Sequence, residues 1–266
     1  MYFSDKSSNG LNFSPEQTAD CFAAWNTGAA SSYLLEITAN ILRTKDLPGD
    51  GFVVDAILDT AQGKGTGLWT SQSALHLGVP VPAITAAVEA RMVSMRREER
   101  QRYAPLLPTA NVSLDIPAPE TLGTALFLAT RLAYLQGFSL LMAAERTWNW
   151  GLDPARIARV WRAGCIIRAA FLDDLARTFA PESPLSFIAS APAALADAQL
   201  ALRRVTALAV ATGIPAPGLG ASLAYYDAFR SARLPASLMQ AQRDYFGAHG
   251  FERPDRPGVF HGPWKG

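Results

Sequence analysis

The chain has 266 residues, 49% of them apolar and 18% charged, with a net charge of +1. That length supports a substantial core in one large or two small domains, and that composition excludes a disordered chain. A balance so close to neutrality gives no electrostatic basis for binding nucleic acid or an anionic membrane.

No run of about 18 uncharged apolar residues is evident, so no membrane span is expected. The opening MYFSDKSSNG has no signal-peptide core. Cys21 and Cys165 have neither CxxC spacing nor a histidine cluster, and read as buried free thiols in a reducing cytoplasm.

Residues 1–12 are polar and expected to be flexible. Ser14-Pro15-Glu16 is a helix start, with Ser as N-cap and Pro in the first turn, and the helix should run to Trp25. Asn26-Thr27-Gly28 breaks it. Ser31 to Arg43 repeats apolar residues at helical spacing (Leu34, Leu35, Ile37, Ile41, Leu42). A turn over Asp46–Gly51 and a short helix over Val53–Leu58 lead to the glycine loop AQGKGTGLW, residues 61–69. Helices are predicted over Trp69–Leu77 and, after GVPVP, from Ala83 to about Arg102. The charged end of the latter, RREERQR, reads as a solvated helix end.

Tyr103 to Pro119 is a proline-containing linker. Glu120 to Trp148 is predicted as the longest helix, apolar on most faces and therefore central to a bundle. Asp153-Pro154 starts a helix that passes Trp161 and breaks at Gly164; Cys165 to Phe179 is expected to follow as another. Helices over Ala193–Thr212 and Leu219–Arg230 precede a last helical stretch, LPASLMQAQRDYFGAH, residues 234–249. Strands have no support, and the fold class is all-α: a helical domain over 13–249 with an extended C-terminal tail over 250–266. An internal echo points to two similar, duplicated layers. Gly78-Val79-Pro80-Val81-Pro82 matches Gly213-Ile214-Pro215-Ala216-Pro217, and Trp25…Gly28 matches Trp161…Gly164, at nearly constant offset.

Three places could carry chemistry. In Gly63-Lys64-Gly65-Thr66-Gly67 the glycines expose backbone N–H groups, the next helix offers its N-terminus, Lys64 adds charge and Thr66 a hydroxyl, which together suit a phosphate. It is not a Walker A loop; read blandly, it is a glycine-rich turn. Arg91 lies on an otherwise apolar helix, either paired with Glu98 or another carboxylate or aimed at a ligand. Arg243 and His249, close together near the chain end, suit an anion, or else Arg243 and Asp244 form a solvated pair. His76, His249 and His261 are scattered and form no metal site. No nucleophile elbow or catalytic triad is evident, so no residue is assigned a catalytic role.

Several segments together resemble one family in order: WNTGAASSYLLEITANIL (25–42), GKGTGLWT (63–70), GVPVPAITAAVEAR (78–91), YLQGFSLLMAA (134–144), VWRAGCIIRAAFL (160–172), GIPAPGLGASLAYYDAFR (213–230) and LPASLMQAQRDYFGAH (234–249). Each is similar to the corresponding block of the helical C-terminal domain of 6-phosphogluconate dehydrogenase. In that family a nicotinamide cofactor, usually NADP, oxidises the C3 hydroxyl of 6-phosphogluconate, and the keto acid loses CO2 to give ribulose 5-phosphate. The resemblance implies that Lys64, Thr66 and Arg91 hold the substrate phosphate, while Arg243 and His249 complete the same site in the neighbouring subunit of a homodimer.

Departures from the family accompany the match. No GxGxxG fingerprint is found, so no cofactor-binding residue is assigned. The family's catalytic Lys and Glu precede the segment matched by 11–25, and residues 1–10 do not resemble the part that carries them. In the loop, Gln and Gly are exchanged and Leu68 stands where the family has Lys. The expectation is a substrate-binding and dimerising portion of the enzyme, inactive alone, with a separate Rossmann-domain subunit as a possible partner. The alternatives are a non-catalytic sugar-phosphate-binding module and a purely structural dimerisation scaffold.

Overall fold

The computed structural model describes residues 13–47, 49, 51–108, 112, 115–179 and 184–264. These form thirteen α-helices and a single two-stranded hairpin, so the chain is all-α; the expectation of a flexible 1–12 lies outside the described residues. The chain divides into two compact units, Met1–Ala224 and Tyr225–Gly266.

Local chemistry sets the first helices. Ser14 caps α1 (Pro15–Trp25) through a reciprocal capping box: its hydroxyl accepts from Gln17 N at 3.2 Å, and the Gln17 side chain accepts from Ser14 N at 2.8 Å. Ser32 caps α2 (Tyr33–Arg43), accepting from Leu35 N, so the helix begins two residues later than its apolar pattern suggests. After α3 (Val53–Ala56) come α4 (Thr66–His76), α5 (Pro82–Met95), α6 (Arg97–Tyr103) and α7 (Pro119–Trp148). Cys21 and Cys165 are free, and both are half-buried rather than fully enclosed.

α7 is the core of the larger unit. Leu132, Leu135, Gln136 and Phe138 on it are at 0% exposure, and it packs against α1, α5 and α11 (Pro192–Ala211). Phe138 lies 5.1 Å from the Trp161 ring and 5.4 Å from Phe179, and Tyr134 meets Phe171 edge-on at 4.8 Å. By length and composition alone α7 could cross a membrane, contrary to the sequence expectation; the buried stripe of Leu132, Leu135, Gln136 and Phe138 is that of a bundle's core helix.

Two predicted helices are interrupted. The helix expected over Ala83–Arg102 ends at Met95, because Arg96 leaves helical geometry (φ −86°, ψ 44°) and Arg100 Nη2 donates to the Ser94 carbonyl that helix continuation would have used. The helix expected over Cys165–Phe179 follows α8 (Pro154–Gly164) only as α9 (Phe171–Thr178). The intervening backbone is used elsewhere: Tyr33 N donates to Arg168 O at 3.1 Å and Ala170 N to Ser31 O at 2.7 Å, an antiparallel bridge between Ser32 and Ala169.

That bridge joins the segments that follow Trp25…Gly28 and Trp161…Gly164, as a local two-fold relation between repeats would place them. The other half of the echo is also geometric. Gly78 and Gly213 both have left-handed φ (67° and 69°). Val79 N donates to Ala74 O and Ile214 N to Ala209 O, each at 2.8 Å; Leu77 N donates to Ser73 O and Thr212 N to Leu208 O, each at 2.9 Å. These are two copies of one glycine-terminated helix end. The helices that follow, α5 and α12 (Pro217–Arg230), are both 14 residues long.

In the smaller unit, α13 (Ala236–Gly247) leads into β1 (Phe251–Glu252) and β2 (Val259–Phe260), paired antiparallel. The tail therefore has local structure of its own, organised by Asp244. This carboxylate is 3% exposed and accepts from Gly250 N (2.8 Å), Gly262 N (2.8 Å) and Trp264 Nε1 (2.7 Å), and bonds His261 Nδ1 (2.6 Å). These donors, the Gly262 amide foremost, hold its pKa far below the usual carboxylate range. The short pair Phe251 and Phe260 is half-buried, and Trp264 remains 42% exposed.

Candidate functional site

The glycine loop lies at the start of α4, and its backbone is fixed from both sides. Gly65 is the N-cap, at φ 93°, a conformation that favours glycine, and no side chain caps the helix. The first-turn N–H groups of α4 are thus free of a side-chain acceptor, and the helix dipole favours an anion there. Downstream, α4 lies close on α5. A Cβ on Gly67 would come within 2.8 Å of Val88 Cγ2, and Ser71 Oγ bonds Thr85 Oγ1 at 3.0 Å. The start of α5 is anchored in turn by α7, where Gln136 Oε1 accepts from Ala83 N at 3.0 Å inside the core.

This packing brings Lys64, Thr66 and Arg91 to one cavity of about 400 Å³. Residues Gln62 to Leu68 line one side, and Val88, Arg91, Met92 and Met95 the other. All three polar residues are exposed. Among the described residues Lys64 has no hydrogen bond or ion pair, and Arg91 pairs with no carboxylate; Arg91 Nη2 donates instead to the Gln62 carbonyl. The pairing of Arg91 with Glu98 weighed from sequence is absent among the described residues, since Glu98 lies beyond the break at Arg96. The cavity thus offers two cations, a hydroxyl and the start of a helix, with Leu68, Met92 and Met95 also in its lining. That set is fitted to an anionic group with several oxygens.

Arg243 and His249 belong to the smaller unit, and both are exposed. Arg243 Nη1 bonds Gln240 at 3.0 Å and not Asp244, whose oxygens are occupied by the tail. The solvated Arg243–Asp244 pair considered from sequence is therefore not formed. His249 lies 6.1 Å from Phe246, ring centre to ring centre.

Sequence reasoning missed what holds the loop. RREERQR is more than a solvated helix end: Arg100 Nη1 lies 2.7 Å and Arg97 Nε 3.3 Å from the Asp59 carboxylate. The Arg100 hydrogen bond holds the Asp59 carboxyl below its ordinary pKa. Ser94 Oγ accepts from Ala61 N at 2.9 Å. The available signal was the three-residue spacing of Arg91, Ser94, Arg97 and Arg100, obscured by the surrounding charge. Among the described residues no group of three His, Cys, Asp or Glu side chains could hold a metal. Nor does any strand there lead through a glycine turn into a helix, so these residues do not fit a dinucleotide cradle.

Comparison with known proteins follows the same lines. Residues 5–264 match the family described as "6-phosphogluconate dehydrogenase, C-terminal domain". The chain is 47% identical over 261 residues to a decarboxylating 6-phosphogluconate dehydrogenase of Shigella flexneri, covering 96% of this chain and 56% of that protein. It is 46% identical to the NADP(+)-dependent, decarboxylating enzyme of Bacillus subtilis, with the same coverage. The Plasmodium falciparum 6-phosphogluconate dehydrogenase, whose structures are described as apo, with its cofactor NADP+ and with its substrate 6-phosphogluconate, superposes with a TM-score of 0.87 at 38% identity, over 96% of this chain and 56% of that one. The chain spans about half the length of the relatives it matches. With a family match over nearly its whole length and the helical order to go with it, the chain belongs to the 6-phosphogluconate dehydrogenase family, in the part that forms the C-terminal domain.

Proposed function

We propose that this chain is the substrate-binding and dimerising portion of an NADP-dependent, decarboxylating 6-phosphogluconate dehydrogenase, and that the cavity between the glycine loop and α5 takes the phosphate of 6-phosphogluconate. The observation that carries this is the convergence of Lys64, Thr66 and Arg91 on one cavity at an uncapped helix N-terminus. The Lys64 ammonium supplies a point charge and the Arg91 guanidinium a fork, of which one donor is held by Gln62 O. The Thr66 hydroxyl and the first amides of α4 supply directional donors.

The phosphate sits at the opposite end of the sugar acid from the carboxylate, away from the reacting C3. Binding energy gathered there orients the reacting carbon rather than taking part in bond changes. Hydride acceptance would be the role of NADP. The described residues do not fit that cofactor, since no strand among them leads through a glycine turn into a helix. Arg243 and His249 complete the site from a second copy of the chain, which makes the homodimer the functional unit.

The test is calorimetric titration with 6-phosphogluconate and with gluconate, which lacks the phosphate. The expected result is binding of the first and none of the second, with Arg91→Ala weakening binding by about ten- to a hundredfold, the loss of one charge-assisted contact. An Arg91→Ala chain mixed with an Arg243→Ala chain should regain one intact site per mixed dimer. Equal binding of gluconate, or no recovery when subunits demonstrably exchange, overturns the respective part of the proposal.

A further inference from the structure

The glycine loop and Arg91 belong to different segments, and a multidentate anion site works only if their separation is fixed. The link at the α4 side is the helix packing at Gly67 and Ser71. The link on the other side is a strap over Asp59 to Gln62, built by residues beyond the cavity. Arg100 is its centre. Nη1 takes the Asp59 carboxylate at 2.7 Å, while Nη2 is shared between the Asp59 carbonyl (3.2 Å) and the Ser94 carbonyl (3.1 Å). One guanidinium therefore joins the loop's approach to the C-terminal end of α5. Ser94 adds a second tie: its hydroxyl accepts from Ala61 N at 2.9 Å and donates to Arg91 O at 2.7 Å, linking the loop to the backbone of Arg91 itself. Neither Ser94 nor Arg100 lines the cavity.

From this geometry we infer that Arg100 and Ser94 are positioning residues of the anion site, which set the loop that carries Lys64 and Thr66 against Arg91. The inference rests on the reading of the cavity as a phosphate site. Between the two anchors, among the described residues, only Gly63 and Lys64 lack a tie, since Gly65 O accepts from Trp69 N at 3.0 Å, so holding Asp59–Gln62 confines Lys64 to the length of two residues. The side chains of Arg100 and Asp59 are 35% and 61% exposed, and ion pairs so exposed to solvent contribute little to global stability. The arrangement is thus poorly explained as a device for holding the fold together. It is well suited to ordering a local segment, where small displacements weaken multidentate binding steeply.

The test is a double-mutant cycle on the full 266-residue chain, with 6-phosphogluconate as the probe. Lys64→Ala alone checks the site: if it leaves affinity unchanged, the phosphate reading fails, and the inference built on it fails with it. Given that Lys64→Ala weakens binding, Arg100→Lys keeps the charge and removes the fork, and it should weaken binding by about five- to twentyfold. In the Lys64→Ala background the same substitution should cost about twofold or less, because the strap acts through Lys64. Ser94→Ala, a smaller change, should follow the same pattern and raise hydrogen exchange at the Gly63–Thr66 amides. Unchanged affinity in both Arg100→Lys and Ser94→Ala, while Lys64→Ala weakens it, overturns the inference alone. So does a loss that is equal with and without Lys64, which is the mark of a purely structural role.

Discussion

The two repeats end alike and begin differently. α4 and α11 finish at His76 and Ala211 in the same glycine-terminated turn, yet α4 has 11 residues and α11 has 20. Where the second repeat continues as helix, the first has been opened into the strap and the glycine loop. Positions 135 residues apart make the contrast concrete. Gly67 lies against Val88 at the cavity, while its counterpart Leu202 is in the core at 0% exposure. Lys64, Thr66 and Arg91 correspond to Gln199, Ala201 and Tyr226. The cavity lies where the helix of the repeat is the shorter and the first amides of α4 have no side-chain cap; the longer copy is helix there and uses its side chains for packing.

The contrast can be broken first at Leu202. Leu202→Ala removes a fully buried side chain and should cost about 2–5 kcal/mol of stability, as read from chemical denaturation. The affinity of the folded protein for 6-phosphogluconate should stay within about twofold, because the lost side chain belongs to packing rather than to the site. A large fall in affinity would mean that the second repeat takes part in binding, and the division of labour would be wrong.

Much of this was legible in the chain. Helix starts could be read where a local rule decides them: Ser14 before Pro15, and Asp153 before Pro154. The echo was legible because a left-handed helix end favours glycine, and Gly78 and Gly213 both take that conformation. Lys64, Thr66 and Arg91 were legible by their types and by resemblance. What escaped was non-local. Nothing near Arg96 in sequence announces that Arg100 will reach back to the Ser94 carbonyl and across to Asp59, and so end the helix early. Nor does the pattern around Asp244 show that its acceptor capacity is taken by amides from the tail. In both cases a charged residue that composition assigns to solvent is used to satisfy distant backbone groups.

The second way to break the comparison is to give Gly67 the side-chain bulk that its counterpart carries. In Gly67→Ala the new methyl meets Val88 Cγ2 at 2.8 Å, and the stiff valine cannot turn away. Overpacking of this kind costs about 1–3 kcal/mol, while the gain in helix propensity is about 1 kcal/mol. The balance is a net loss of up to ~2 kcal/mol, and α4 must shift against α5. Since Thr66 and Arg91 ride on those two helices, affinity for 6-phosphogluconate should fall at least several-fold. Adding Val88→Ala supplies the missing space and should restore affinity while leaving a stability deficit. Failure of that rescue would show that Gly67 matters to binding through its backbone, not through the helix spacing.

The smallest effect tests what the repeats share. Gly78→Ala and Gly213→Ala each place a methyl on a residue in left-handed geometry, with φ of 67° and 69°. At Gly78 the added carbon would meet nothing within 4 Å, so the penalty there is backbone strain alone, about 1–2 kcal/mol. The two turns have matching hydrogen-bond lengths, so the same strain should apply at Gly213, and the two losses measured by urea denaturation should agree within about 0.5 kcal/mol. Asn tolerates the left-handed region better than Ala, so Gly78→Asn and Gly213→Asn should each recover part of the loss. Affinity for 6-phosphogluconate should not change in any of the four, since Gly78 follows the end of α4 opposite the loop and Gly213 lies in the repeat without a site. A difference of more than about 1 kcal/mol between the Ala variants would mean that the turns are alike in geometry but differ in the room around them. Equal losses would establish the helix end as the conserved joint on which the opened and the intact repeat are both built.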